Sequence, residues 1–194
     1  MKSFSRVMRN VHSATLIGSR KSPTRINEIA VKIGRKLSDM GVLGYSGGAI
    51  GMDSQFMFDY SPELRRIIIP KTHHNGLLAN GRDIIDYRQT NAQRCEEEVL
   101  KVAENYYDLD YHSQELYNRN VVQVLRETVD NPTDVVIFWA PEIGHCVQGG
   151  TKIAVMIARK YKIPCFNLWR EDVLEEVCEY FDIPTRPPTL DFLC

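Results

Sequence analysis

Three short segments combine small residues with groups suited to holding an anion. They are Gly18-Ser19-Arg20, Ser46-Gly47-Gly48-Ala49-Ile50-Gly51-Met52-Asp53 and Gly149-Gly150-Thr151. Each follows a short apolar run and precedes a stretch with helical character. Small residues let backbone N–H groups approach an anion closely, and a helix start adds a partial positive charge. Phosphate is the natural ligand for that chemistry. One such loop would mean little, because glycines end strands everywhere, but three in one chain are hard to attribute to turns alone.

The standard phosphate motifs are met only in part. Gly48-x-x-Gly51 matches the second half of G-x-G-x-x-G, but Ser46 takes the place of the first glycine. Ile68–Pro70 stand where an acid would hold a ribose in a nicotinamide-dinucleotide site. No G-x-x-x-x-G-K-[ST] occurs, so P-loop triphosphate hydrolysis is not supported.

Other residues qualify less well. His73-His74 are neighbours that would point apart on a strand, a poor metal pair, and they read as a solvated loop pair. His145-Cys146 would have to converge to act as nucleophile and base, which sequence neighbours rarely do. Tyr106, Tyr107, Tyr111, Tyr117, Trp139 and Trp169 could stack bases, although tyrosines at helix edges more often wedge against a core. Arg119, near the start of a helix and followed by Asn120, is placed to reach a pocket or to form an ion pair. No catalytic residue, metal ligand or cofactor is assigned.

The elements that must position these residues alternate along the chain. Strands are expected at Ala14–Ile17, Val42–Tyr45, Ile67–Ile69, Val135–Trp139 and Pro164–Leu168. The continuous apolar run of Val135–Trp139 suits a parallel sheet covered on both faces. Ile26, Ile29, Ala30, Ile33 and Leu37 mark one face of a helix opened by Pro23-Thr24 and stopped near Gly41. Ala92, Cys95, Val99, Val102 and Ala103 share a second helix face, and Tyr117, Val121, Val124 and Leu125 a third. Ala140–Gly150 reads as a loop leading to a helix from Thr151, and an acidic helix starts near Glu171. The expected fold is α/β: a doubly wound, mainly parallel sheet with helices on both faces. Ligands then bind beyond the carboxyl ends of the strands, near the switch in strand order.

Together, GSRKSP, SGGAIGMD, the Arg119-Asn120 pair and a strand leading to GGT and IPCFNL resemble the SLOG superfamily of Rossmann-like folds. The order is most similar to that of DNA-processing protein A (DprA)-like proteins and, more distantly, Lonely Guy phosphoribohydrolases. The resemblance spans roughly residues 14–168 and rests on order and spacing more than on any one motif. It implies a pocket for a nucleotide, a nucleotide-derived signal or single-stranded DNA. Gly18, Ser19 and Arg20 would meet phosphate; Ser46, Gly47, Gly48 and Gly51 would form a loop offering backbone N–H groups. Asp53 would cap a helix or touch a sugar hydroxyl, with Arg119 and Asn120 nearby. Gly149, Gly150 and Thr151 would hold a second phosphate or the sugar. The resemblance also implies a homo-oligomer, and small stand-alone proteins of this kind are familiar from bacteriophage genomes. The alternative is a nucleotide N-glycosidase of Lonely Guy type. Against it, the glutamate those enzymes carry three residues after the threonine is here Ala154. Splitting an N-glycosidic bond calls for a carboxylate at such a position.

The 194 residues suit one domain, with a core of about 14–168 and an acidic helix and Pro-rich tail over about 170–194. Five scattered cysteines, none in C-x-x-C spacing, fit reduced thiols in a cytoplasmic setting. No apolar run is long enough to span a membrane. The net charge of −1 conceals an asymmetry: residues 1–27 carry Lys2, Arg6, Arg9, Arg20, Lys21 and Arg25 and no acid. A basic end beside the first loop, with an acidic remainder, favours a local anion pocket over a DNA-coating surface.

Overall fold

Val135–Trp139 forms the strand that its apolar run predicts, with Val135, Val136, Ile137 and Phe138 all buried. In the computed structural model, which describes residues 3–185, this strand lies inside a parallel sheet, one strand from its edge. In chain order the elements are α1 (Phe4–Met8), β1 (Ser13–Gly18), α2 (Thr24–Asp39), β2 (Leu43–Ser46), α3 (Met52–Met57), β3 (Arg65–Ile69) and β4 (Ile84–Asp86). There follow α4 (Ala92–Leu100), α5 (Tyr111–Leu125), β5 (Val135–Trp139), β6 (Glu142–Ile143), β7 (Cys146–Val147), α6 (Thr151–Lys160), β8 (Cys165–Asn167) and α7 (Glu171–Phe181). The sheet runs β4-β3-β2-β1-β5-β8, and every neighbouring pair is parallel. Strands β6 and β7 pair antiparallel as a small hairpin.

Two cores cover the two faces, as a doubly wound α/β fold requires. On one, α1, α2, α3 and α7 bury Phe4, Ile33, Leu37, Phe56 and Phe181 against Leu16, Ile69 and Phe166. On the other, α4, α5 and α6 bury Cys95, Val99, Val121, Leu125 and Ile157 against Ile17, Ile68 and Val136. Helix α2 keeps its predicted face: Ile26, Ile29, Ala30, Ile33 and Leu37 are all buried. It ends where Gly41 takes φ +74° and Val42 N–H donates to the Leu37 carbonyl at 3.0 Å, a left-handed stop that glycine adopts without strain.

Four elements were not expected from the sequence. Helix α1 is five residues long, and Phe4 anchors it edge-on to Phe166 at 4.9 Å. Strand β4 extends the sheet beyond β3, and the segment expected as a loop over Ala140–Gly150 contains the β6–β7 hairpin. The Pro-rich tail expected from Ile183 falls mostly on residues 186–194, outside the described part of the chain. Among the described residues, no helix is long and apolar enough to cross a membrane.

Candidate phosphate-binding site

The chain leaves β1 toward β2 through α2 on one face of the sheet. It leaves β5 toward β8 through α6 on the other face, in the opposite direction. Connections that diverge in this way open a crevice beyond the carboxyl ends of β1 and β5. A cavity of about 510 Å³ lies there. The first loop contributes Gly18, Ser19 and Arg20 to its wall, and the third contributes Gly149, Gly150 and Thr151. Helix α5 supplies Ser113, Leu116, Tyr117, Arg119, Asn120 and Gln123. Most of these recur at three- and four-residue spacing, one helical face turned to the crevice.

A buried ion pair forms the floor. Asp53, in the first turn of α3, and Arg119, in α5, are 4% and 7% exposed. Asp53 Oδ1 accepts the Gly18 N–H at 2.9 Å; Oδ2 accepts the Gly47 N–H at 3.0 Å and lies 3.6 Å from Arg119 Nη1. Burial pushes the Asp53 carboxyl up, opposed by Arg119 and by the amides of Gly18, Gly47 and Ala49. Burial likewise pulls the Arg119 guanidinium down, opposed by Asp53. The Gln123 amide, turned so that its oxygen faces Arg119, accepts from Nη1 at 3.0 Å and from Gly47 N–H at 2.7 Å. Its nitrogen then donates to Asn120 Oδ1 at 2.8 Å. Asn120 Nδ2 in turn donates to the Gly150 carbonyl at 3.2 Å, carrying the network to the third loop. Arg119 Nε is buried with no partner among the described residues.

This arrangement revises the expected roles of the second loop. Asp53 does not cap α3, whose N-cap is Gly51, and each of its carboxylate oxygens accepts a backbone N–H. The Gly47 N–H is committed to that carboxylate and is not offered to a ligand. Ser46 is fully buried, its hydroxyl donating to the Leu16 carbonyl at 2.6 Å. Ser46, Gly47, Gly48 and Gly51 are not among the cavity's lining residues, whereas Ala49 and Asp53 are. The loop has closed around an internal anion.

The third loop stays open. Gly149 is left-handed at φ +75°, and Gly150 is the N-cap of α6 with no side chain capping the helix. The first N–H groups of a helix have no partner within it, so this helix start presents donors beside the cavity wall. Arg20 is exposed at the end of the first loop.

Sequence reasoning missed several lining residues. Tyr117, assigned to a core face, is half-buried: it packs on the second core and also lines the cavity. Leu116, Ser113 and Gln123 have no motif, and helical spacing from Arg119-Asn120 was the one signal that could have found them. Tyr106 is buried with its hydroxyl beside Asn118, while Tyr107 and Tyr111 are exposed. Ala154 is fully buried in the second core. Among the described residues, no group of three His, Cys, Asp or Glu is placed to hold a metal.

Fold and crevice define a doubly wound α/β protein with a cavity of mixed lining at its topological switch. No protein-family profile and no curated protein sequence matches the chain. Among solved structures, the fold is similar to that of DNA processing protein A from Helicobacter pylori, described for its single-stranded DNA binding mode. The two are 15% identical with a TM-score of 0.48, over 94% of this chain and 78% of the other.

Proposed function

We propose that the cavity holds the phosphate of a nucleotide, of a nucleotide-derived signal or of single-stranded DNA. The observation that carries this reading is Arg119: a buried guanidinium in the cavity wall whose Nε has no acceptor among the described residues. An orphaned buried donor costs about 1–3 kcal/mol, more when charged, and an anion beside it removes that cost. The uncapped start of α6 adds donors on the same wall, and Arg20 adds a second positive charge at the rim. Ile17, Leu116 and Tyr117 give the cavity an apolar, partly aromatic side against which a base can lie. Asp53 is the one carboxylate on the wall among the described residues, and its two oxygens are engaged.

Native mass spectrometry against nucleotides and short oligonucleotides identifies the ligand and counts subunits, testing the expected homo-oligomer. Arg20→Ala should weaken binding about tenfold or more, the usual loss for a charge-assisted contact, while leaving the melting temperature essentially unchanged. Unchanged affinity in that variant would remove Arg20 from the site. A steep fall of oligonucleotide affinity with salt marks phosphate-backbone contacts, because each neutralised phosphate releases counterions. Release of free base from a nucleoside monophosphate would replace binding by glycosidic hydrolysis.

A further inference from the structure

The segment between β3 and β4 joins two parallel strands without a helix, and it builds a tight turn against the second glycine loop. His73 N–H donates to the Leu77 carbonyl at 2.7 Å, His74 N–H to Lys71 at 3.2 Å, and Leu77 N–H to His74 at 3.0 Å. His73 and Asn75 are both left-handed, at φ 66° and 50°. Such conformations persist where surrounding bonds hold them. Asn75 Nδ2 supplies one such bond, donating at 3.0 Å to the carbonyl of Gly48, next to the cavity-lining Ala49. The turn is therefore fixed to the second glycine loop.

That fixation sets His74 against His112, with ring centroids 6.2 Å apart. His112 immediately precedes Ser113, a lining residue on α5. The pair expected to be solvated is thus divided: His73 is exposed, and His74 is half-buried facing another element. The charges that act most on His74 are all positive: Arg119 and His112 from α5, Arg20 from the first loop, and Lys71 from its own turn. The nearby acids are engaged elsewhere. Asp110 caps α5 through the Ser113 N–H, Asp86 is held by Arg88, and Asp53 lies under Arg119. Burial first, and then the positive charge around it, lower the His74 pKa to about 4. Arg20 and Lys71, both exposed bases, are placed to meet an anion beside the two imidazoles.

We propose that His74, His112, Arg20 and Lys71 form a second phosphate position at the mouth of the cavity, so that the ligand carries two linked phosphates. This rests on the reading of the inner cavity as a phosphate site. Two sources fit the chemistry: successive phosphates of a single strand, or a compact bisphosphate.

Titration calorimetry with thymidine 5′-monophosphate, thymidine 3′,5′-bisphosphate and a short oligothymidylate separates the possibilities. The wild-type protein should bind at least one of the two-phosphate ligands about tenfold more tightly than the monophosphate. A gain for the oligomer alone assigns the site to a strand, and a gain for the bisphosphate assigns it to a compact ligand. His74→Ala and, independently, Lys71→Ala should abolish the gain and leave monophosphate affinity unchanged; both lie on a surface turn. Oligothymidylate diesters do not titrate between pH 7 and 5. An anion raises the pKa of a neighbouring imidazole, so wild-type affinity should climb over that range more than His74→Ala affinity does. Monophosphate binding with no gain from a second phosphate would overturn this position and leave the inner site intact. No binding of any of the three would overturn both.

Discussion

In the loop between β2 and α3, an alanine at position 47 would place its Cβ 1.3 Å from Arg119 Nη1 and 2.5 Å from Asp53 Oδ2. At Gly149 and Gly150, before α6, an added Cβ meets nothing within 4 Å. Both loops follow a strand of one sheet, both are glycine-rich, and both open a helix. The first needs glycine because two charged side chains and three amides converge there. The second has space around it. A glycine loop at a strand end can thus gather its amides around the protein's own carboxylate or leave them for something from outside. Sequence pattern alone does not separate the two.

The contrast can be broken most severely at Gly47. Gly47→Ala should cost about 5 kcal/mol or more, since overpacking adds to displacement of a buried ion pair; chemical denaturation would show it. Stability close to wild type would mean that the loop has more room than its contacts indicate.

Arg119→Met comes next, at about 3–5 kcal/mol, because it leaves the buried Asp53 carboxyl without its charge partner. Its deficit should have a characteristic pH dependence. Asp53 has a raised pKa when folded, so its ionisation penalty is absent below the carboxyl's unfolded value and grows as pH rises from there toward the folded one. Losing Arg119 raises the pKa further. Denaturation curves between pH 4 and 7 should therefore show the deficit shrinking toward acid, and adding Asp53→Asn should restore part of the stability.

Gly150→Ala is the smallest effect. Gly150 has right-handed helical angles, φ −63° and ψ −25°, so alanine fits and should stabilise the protein by about 0.5 kcal/mol. The same methyl group beside the cavity should weaken nucleotide binding. A variant that is both stabilised and fully competent to bind would move the ligand away from the third loop.

Much of the fold was legible because its signals are local. Ile26 through Leu37 announced a helix, Gly41 its end, and Val135–Trp139 a buried strand. What the sequence hid depended on distant partners. Helix α1 is short and held by Phe4 against Phe166 and α7, and β4 is three residues paired along β3. At the site, Arg119 and Asn120 were visible as candidates. The inward turn of Asp53 was not, because it follows from amides of residues 18 and 47 meeting in space. His74 was hidden for the same reason: its neighbours come from three separate segments.

The two walls of the cavity, residues 17–20 and 149–151, lie at opposite ends of a long stretch of chain. They meet only when β5 docks along β1, with Ala14 opposite Val135 and Leu16 opposite Ile137. Parallel pairing at such separation is a slow closure. The cavity therefore forms only once that pairing is made. A bound ligand stabilises the whole domain, by about 2.7 kcal/mol at a concentration 100 times its Kd.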